Sequence, residues 1–124
     1  MFRRGGLSYL DIPSSDPHGS AQFYHEVFGW TIGERPGAWA FEDGTGHVIG
    51  HFVNNRPIAG GAGVLPYVFV GSLDAALARA VAAHGTIRRE PFPVGELLVA
   101  VVEDPSGTAV GIWQRGHRRH TPNR

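Results

Sequence analysis

The chain repeats itself. Asp104-Pro105-Ser106-Gly107-Thr108-Ala109-Val110-Gly111-Ile112-Trp113 is a turn feeding a short apolar strand, and Asp43-Gly44-Thr45-Gly46-His47-Val48-Ile49-Gly50-His51-Phe52 echoes it 61 positions earlier. Asp43 matches Asp104, Gly46 matches Gly107, Gly50 matches Gly111 and Phe52 matches Trp113. Ahead of each, Leu7-Ser8-Tyr9-Leu10-Asp11-Ile12 is answered by Leu65-Pro66-Tyr67-Val68-Phe69-Val70 at an offset of 58. Both run into an amphipathic stretch closed by Gly29 or Gly85, at an offset of 56, which we read as two extra turn residues in the first copy. A unit of strand, helix and about three strands is therefore made twice. In a chain of 124 residues neither half is large enough to bury a core alone, so the expectation is one α+β domain with an internal pseudo-twofold axis.

Unit one covers about 6–53, a linker 54–63, unit two about 64–114, and a basic tail 115–124. Alternation over Leu7 to Ile12 puts Leu7, Tyr9 and Asp11 on one face of a strand. Asp16 is placed to cap a helix whose first residue, Pro17, has no N–H to satisfy. That helix carries Ala21, Tyr24, Val27 and Phe28 on one stripe, and Gly29 supplies a left-handed end. Strands are expected over Trp30–Gly33, Ala38–Glu42 and His47–Val53. The second copy offers a strand over Val64–Val70, a cap at Ser72, a stripe of Leu73, Leu77, Ala80 and Val81, and strands over Thr86–Glu90, Leu97–Glu103 and Thr108–Gln114. Gly60-Gly61-Ala62-Gly63 lies between no strand and helix and reads as a hinge. The tail has four arginines and no apolar period, and reads as frayed.

Composition removes whole classes of function. Eleven basic residues balance eleven acidic ones, so bulk charge recruits neither nucleic acid nor an anionic membrane. With no cysteine there is no thiolate metal site and no cysteine nucleophile. Met1 to Gly6 lacks a signal-peptide core, and the longest apolar run, Leu97 to Val102, falls far short of the ~20 residues that span a bilayer. A cytoplasmic protein is the default expectation. No Walker loop, Rossmann fingerprint or Ser-His-Asp arrangement is present.

Phe23-Tyr24-His25-Glu26-Val27-Phe28-Gly29-Trp30 at the end of the first helix and Asp104-Pro105-Ser106-Gly107 before the last strand, set in two copies of the unit, resemble the vicinal oxygen chelate superfamily. That superfamily holds the glyoxalases, the bleomycin-resistance proteins and the extradiol dioxygenases. The resemblance runs from about Leu7 to Gln114. It implies that the two βαβββ units form an open barrel-like sheet around a cavity, and that copies pair as homodimers. It also implies a divalent metal held from four strand positions, which fall on Leu7, Leu65, Gly50 and Gly111. None carries a donor side chain, and a slip of two residues brings only Tyr9 and Tyr67. Asp11 is the one nearby acid on the same face, so we expect no metal and no cofactor.

Without a metal, the cavity is expected to be lined by Tyr9, Tyr67, Phe69, Phe52 and Trp113, with Gly50 and Gly111 leaving space among the rings. Such a lining suits a planar or apolar small molecule, bound as resistance proteins of the superfamily bind theirs. The bland alternative is that these rings fill a closed core. A lyase, isomerase or dioxygenase, with or without a divalent metal, is the alternative function, with Tyr9, Tyr67 or Asp11 as acid and base. A dimerising module without chemistry is a third. His47 and His51 read as surface residues near a turn, and His25 and His84 as helix-end residues without chemistry.

Overall fold

A computed structural model describes residues 2–35, 38–58 and 60–119. Ala59 in the linker and residues 120–124 of the tail, His120 among them, lie outside the described residues. The element order is the expected one, twice: β1 (Tyr9–Pro13), α1 (Pro17–Phe28), β2 (Thr31–Arg35), β3 (Ala38–Glu42) and β4 (Ile49–Val53), then β5 (Tyr67–Phe69), α2 (Leu73–Ala82), β6 (Thr86–Val94), β7 (Leu97–Glu103) and β8 (Ala109–Arg115). Each unit makes its own four-stranded sheet, ordered β1-β4-β3-β2 and β5-β8-β7-β6, and the two sheets are not closed into a barrel. In each sheet the first strand pairs with the last in parallel and the remaining pairs are antiparallel.

Two strands, β5 and β6, depart most from their expected lengths. β5 begins only at Tyr67, because Pro66 has no N–H to give a ladder and Val64 stands clear of the sheet, 94% exposed. β6 runs on through Pro91 and Pro93 to Val94. It is an edge strand, so a missing N–H need not cost a ladder bond.

The helix ends follow local chemistry. Asp16 makes no side-chain cap; Ser14 Oγ accepts the Asp16 N–H at 3.0 Å instead, with Pro17 at the first helical position. Gly29 takes φ 72° and its N–H returns to His25 O, as a left-handed end should. At the end of α2 the left-handed residue is His84, φ 72°, and not Gly85. Gly85 is glycine for another reason: a Cβ there would meet the Phe23 ring and stand 2.8 Å from Glu103 O. Ser72 caps α2 as expected, accepting the Ala75 N–H at 3.2 Å, and Gln114 Oε1 adds a bond from the Leu73 N–H at 2.7 Å.

One buried cluster draws on both units. α1 contributes Ala21, Phe23, Tyr24 and Val27, α2 contributes Leu73, Ala76, Leu77 and Ala80, and the sheets contribute Ile12, Phe41, Phe52, Leu98, Ala100, Val102, Val110 and Ile112. Val81, expected on the buried stripe, is exposed, and Ala76 takes that role. α1 touches α2 and the strands of its own sheet, while α2 touches its own. The helices thus occupy the shared interior, and each sheet keeps one face turned away from them.

The Asp104 turn fastens the units together. Asp104 is buried, its Oδ1 accepting the N–H groups of Ser106 at 2.9 Å and Thr108 at 3.0 Å. Its Oδ2 accepts the hydroxyl of Tyr24, from the other unit, at 2.9 Å. Beside it Ser106 Oγ lies 3.2 Å from Ser14 Oγ and accepts the Ser15 N–H at 3.1 Å, and Thr108 Oγ1 donates to Pro13 O at 3.2 Å. Burial pushes the Asp104 carboxyl up from its ordinary value, while hydrogen bonds from Thr108, Tyr24 and Ser106 pull it back. Burial, and then the Asp104 charge, raise the Tyr24 phenol well above its ordinary value.

The described part of the tail, through Arg119, is bonded back onto the domain. The Gly116 N–H bonds Glu96 O at 2.8 Å, His117 Nε2 meets Gly95 O at 2.9 Å, and Arg119 pairs with Asp74 in the first turn of α2 at 2.6 Å.

Candidate functional site

The register decides which side chains face away from the helices. In unit one Leu10 pairs with Gly50 and Ile12 with Phe52, while Tyr9 pairs with Ile49 and Asp11 with His51. Ile12 and Phe52 are in the core and Leu10 packs against it, so Tyr9, Asp11, Ile49 and His51 form the outer face. In unit two Val68 pairs with Ile112 on the core side, and Tyr67 with Gly111 and Phe69 with Trp113 on the outer side.

Two of the expected lining residues therefore stand on the wrong face. Phe52 is buried beneath α1, its ring 5.5 Å from that of Tyr24 and 5.2 Å from that of Phe41. Gly50 is on the same side and leaves no void: a Cβ would collide with Leu10 O and the Phe41 ring. The cause is one residue. Asp43 N–H reaches Val48 O across its turn, whereas Asp104 N–H reaches Thr108 O, so the first turn is longer by one. Glu42 accordingly pairs with Ile49 and Glu103 with Ala109, which makes His51, not Gly50, the counterpart of Gly111. A shift of one residue moves a strand's side chains to the opposite face. The first-strand echo also shifts, but by two: Ile12 is bonded across to Phe52 as Val68 is to Ile112, an offset of 56 that continues unbroken through the helix starts. An even shift keeps the face, so Tyr67 and Phe69 remain outward.

The two outer faces differ in chemistry. On sheet two Tyr67 and Phe69 are 51% and 57% exposed, and the Phe69 ring lies 4.6 Å from that of Trp113. The Tyr67 ring covers Gly111, which fills the space we expected to be empty and explains the glycine. Across the sheet, Trp113 pairs with Val99 and Val99 with Phe92, so one row runs Phe69, Trp113, Val99, Phe92. Val99, Val101 and Ala109, on the same outer face, are buried yet outside the main core cluster. On sheet one the Tyr9 hydroxyl makes a close hydrogen bond to His51 Nδ1, and Asp11 is the register neighbour of His51. The tautomer sets the direction of this bond: when Nδ1 accepts from the phenol, the neutral ring carries its proton on Nε2.

The metal that the resemblance implies does not fit this donor set. With the corrected register the four positions hold Leu7 or Tyr9, His51, Leu65 or Tyr67, and Gly111. One imidazole and one or two phenols fall short of the His and carboxylate set required. Among the described residues no three His, Cys, Asp or Glu side chains stand close enough to hold an ion. His51, read from sequence as a surface residue near a turn, stands on the outer face beside Tyr9, and the extra residue in the Asp43 turn is the signal that places it opposite Gly111 in the repeat.

Comparison with known proteins agrees with the fold. Among curated relatives, the putative glyoxylase CFP32 of Mycobacterium tuberculosis is 26% identical over 125 residues, covering 91% of this chain and 47% of that protein. The anthracycline biosynthesis protein DauV of Streptomyces sp. strain C5 is 31% identical over 134 residues, covering 93% and 49%. The chain thus spans about half the length of the curated relatives it matches. Among solved structures, TnmS3, an antibiotic binding protein from Streptomyces sp. CB03234, superposes with a TM-score of 0.72 at 20% identity, covering 90% of this chain and 97% of that one. A glyoxalase/bleomycin resistance protein from Albidiferax ferrireducens gives 0.70 at 20% identity, covering 88% and 98%. The sequence model of one family matches residues 6–112, and the chain belongs to that family, the Glyoxalase/Bleomycin resistance protein/Dioxygenase superfamily.

Proposed function

We propose that this chain binds a planar apolar or aromatic small molecule on the outer face of its second sheet, without a metal. The observation that carries the reading is the contiguous surface formed by the exposed rings of Tyr67 and Phe69 and the partly buried ring of Trp113. Aromatic rings left uncovered on a pleated face stack readily on a flat ligand. The names of two relatives lend support, one an antibiotic binding protein and one a protein of anthracycline biosynthesis. Pairing of two copies, outer face to outer face, would cover these exposed rings and close a cavity that a single chain leaves open. The homodimer, like the ligand, belongs to this proposal.

Trp113 fluorescence titrated with planar aromatics tests the binding, with Trp113→Phe separating its signal from Trp30 and Trp39. Quenching lost in Trp113→Phe is expected; the absence of any response from Trp113 sinks the reading. Metal independence is tested by melting chelator-treated protein with Ni, Zn, Mn or Fe(II). A site at a hundred times its dissociation constant would add ~2.7 kcal/mol, which is several degrees, and we expect no such shift.

The Tyr9–His51 hydrogen bond favours a second reading, a metal-free lyase or isomerase in which His51 Nε2 and the Tyr9 phenol handle a proton. Turnover abolished by His51→Gln with ligand affinity intact would move that reading to the front.

A further inference from the structure

The glycine linker, read from sequence as a hinge, is the wall of a cavity. Gly60, Gly61, Ala62, Gly63, Val64 and Leu65 border a half-open cavity of about 300 Å³ against Val101 and Ala109, on the outer side of sheet two, and the two remaining walls are Arg88 and Arg89. Consecutive residues of a regular strand point to opposite faces, so two neighbouring arginines should not share a cavity. Here they do because β6 carries two irregularities. Ile87 pairs with Val102 and Arg89 with Val101, which leaves Arg88 as an extra residue; Arg89 to Phe92 then spans three residues against the two from Val101 to Val99. The first irregularity brings Arg88 to the cavity beside Arg89, and the second puts Arg89 and Phe92 on one face. The corresponding strand of unit one, β2, pairs with β3 without a break.

The two guanidinium groups are held differently. Arg88 is bonded to Glu103 by a close ion pair, which fixes it and balances its charge. Arg89 lies 3.5 Å over the ring of Phe92, a contact that orients the guanidinium plane and leaves its N–H edges available. The linker approaches closely enough that a Cβ on Gly61 would stand 2.6 Å from Arg88 Nη2, and on Gly60 2.7 Å from Gly107 O, so a larger residue at either place would intrude. Arg89, Val101, Gly111 and Tyr67 form one row of the sheet, adjacent to the row of Phe92, Val99, Trp113 and Phe69. The cavity therefore adjoins the aromatic surface.

We propose that the cavity between the glycine linker and Arg88–Arg89 is an anion subsite, and that the aromatic ligand carries a carboxylate or a similar oxyanion received there by Arg89. The inference rests on the aromatic site of the preceding section and gives its ligand a chemical class, a planar aromatic acid. A guanidinium in a partly enclosed, apolar-floored cavity forms a bidentate ion pair with a carboxylate, whereas the neutral amide offers it one carbonyl acceptor and no opposite charge.

The test compares 2-naphthoate with 2-naphthamide by fluorescence titration at neutral pH, in the native chain and in Arg89→Gln, with inorganic phosphate in a separate thermal melt. The acid is expected to bind native protein about tenfold more tightly than the amide, an advantage reduced by added salt and erased in Arg89→Gln. Phosphate, which needs no stacking surface, is expected to raise the melting temperature of the native chain but not of Arg89→Gln. Equal affinity for acid and amide, or an acid preference that survives in Arg89→Gln, overturns the anion subsite. If neither naphthalene binds while the phosphate effect and its Arg89 dependence persist, the subsite stands and the aromatic surface is the part that fails; loss of both removes both.

Discussion

The same turn does different work in the two units. Asp104 is buried and its carboxylate collects bonds from its own turn and from Tyr24 across the unit boundary, whereas the half-buried Asp43 carboxylate accepts from Thr45 and Val48 within its own turn. The outer faces diverge in parallel, polar with Tyr9, Asp11 and His51 on sheet one and aromatic with Tyr67, Phe69 and Trp113 on sheet two. Duplication supplied one frame twice, and the second copy became both the fastening between units and the candidate ligand surface. The difference teaches that equivalence in sequence fixes an element's place but not which way its side chains look.

Phe52 and Trp113, aligned with each other in the repeat, give the largest contrast. Phe52→Ala empties a packed position between Tyr24 and Phe41 and should cost about 4 kcal/mol of stability. Trp113→Ala removes a half-exposed ring and should cost about 1 kcal/mol, while weakening an aromatic ligand about tenfold. Denaturant titration and ligand binding on the two variants check this; equal stability losses would place both rings in one environment and refute the face assignment.

The turns come next. Asp104→Ala leaves the buried Tyr24 hydroxyl and two partly buried backbone N–H groups without their partner and should cost about 3 kcal/mol. Asp43→Ala, where water can reach the freed donors, should cost about 0.5 kcal/mol. Similar losses in chemical denaturation would mean that the Asp104 turn is no fastening.

Sequence disclosed the frame because the cues that carry it are local. Gly29, Pro17 and Ser72 mark helix ends, and the Asp turns mark where last strands begin, so element order and both units were readable. The site was readable only where parity survived error. Tyr67, Phe69 and Trp113 kept their face, whereas Phe52 and Gly50 lost theirs to the single residue by which the Asp43 turn is longer than the Asp104 turn. Nor could the chain of letters show that the barrel-like cavity is not closed within one chain. That depends on α1 and α2 packing against each other between the sheets, a contact with no local signature. The twin arginines were invisible because a β-bulge is defined by the partner strand.

The glycines offer a smaller contrast. A Cβ at Gly50 meets backbone at Leu10 O, which cannot swing away, so Gly50→Ala should cost about 2 kcal/mol. At Gly111 the obstacle is the exposed ring of Tyr67, which can rotate into solvent, and Gly111→Ala should cost about 1 kcal/mol while displacing that ring from the ligand surface. A Gly111→Ala variant as damaged as Gly50→Ala would show that Tyr67 is locked in place.

The smallest effect separates the two aspartates by pH. Burial raises the folded Asp104 carboxyl above its ordinary 3.8, so between that value and the raised one the folded chain holds a proton that the unfolded chain has released. A group of this kind contributes stability that is complete below 3.8 and is lost as pH climbs through the folded value. Native stability minus that of Asp104→Asn should therefore fall from acid toward neutral pH, against the trend of carboxylates whose folded values are lowered. The same difference taken with Asp43→Asn serves as the baseline for a turn that fastens nothing. If the Asp104 difference instead rose with pH, the bonds from Tyr24, Ser106 and Thr108 would outweigh burial, and the carboxylate would be held charged inside the fastening.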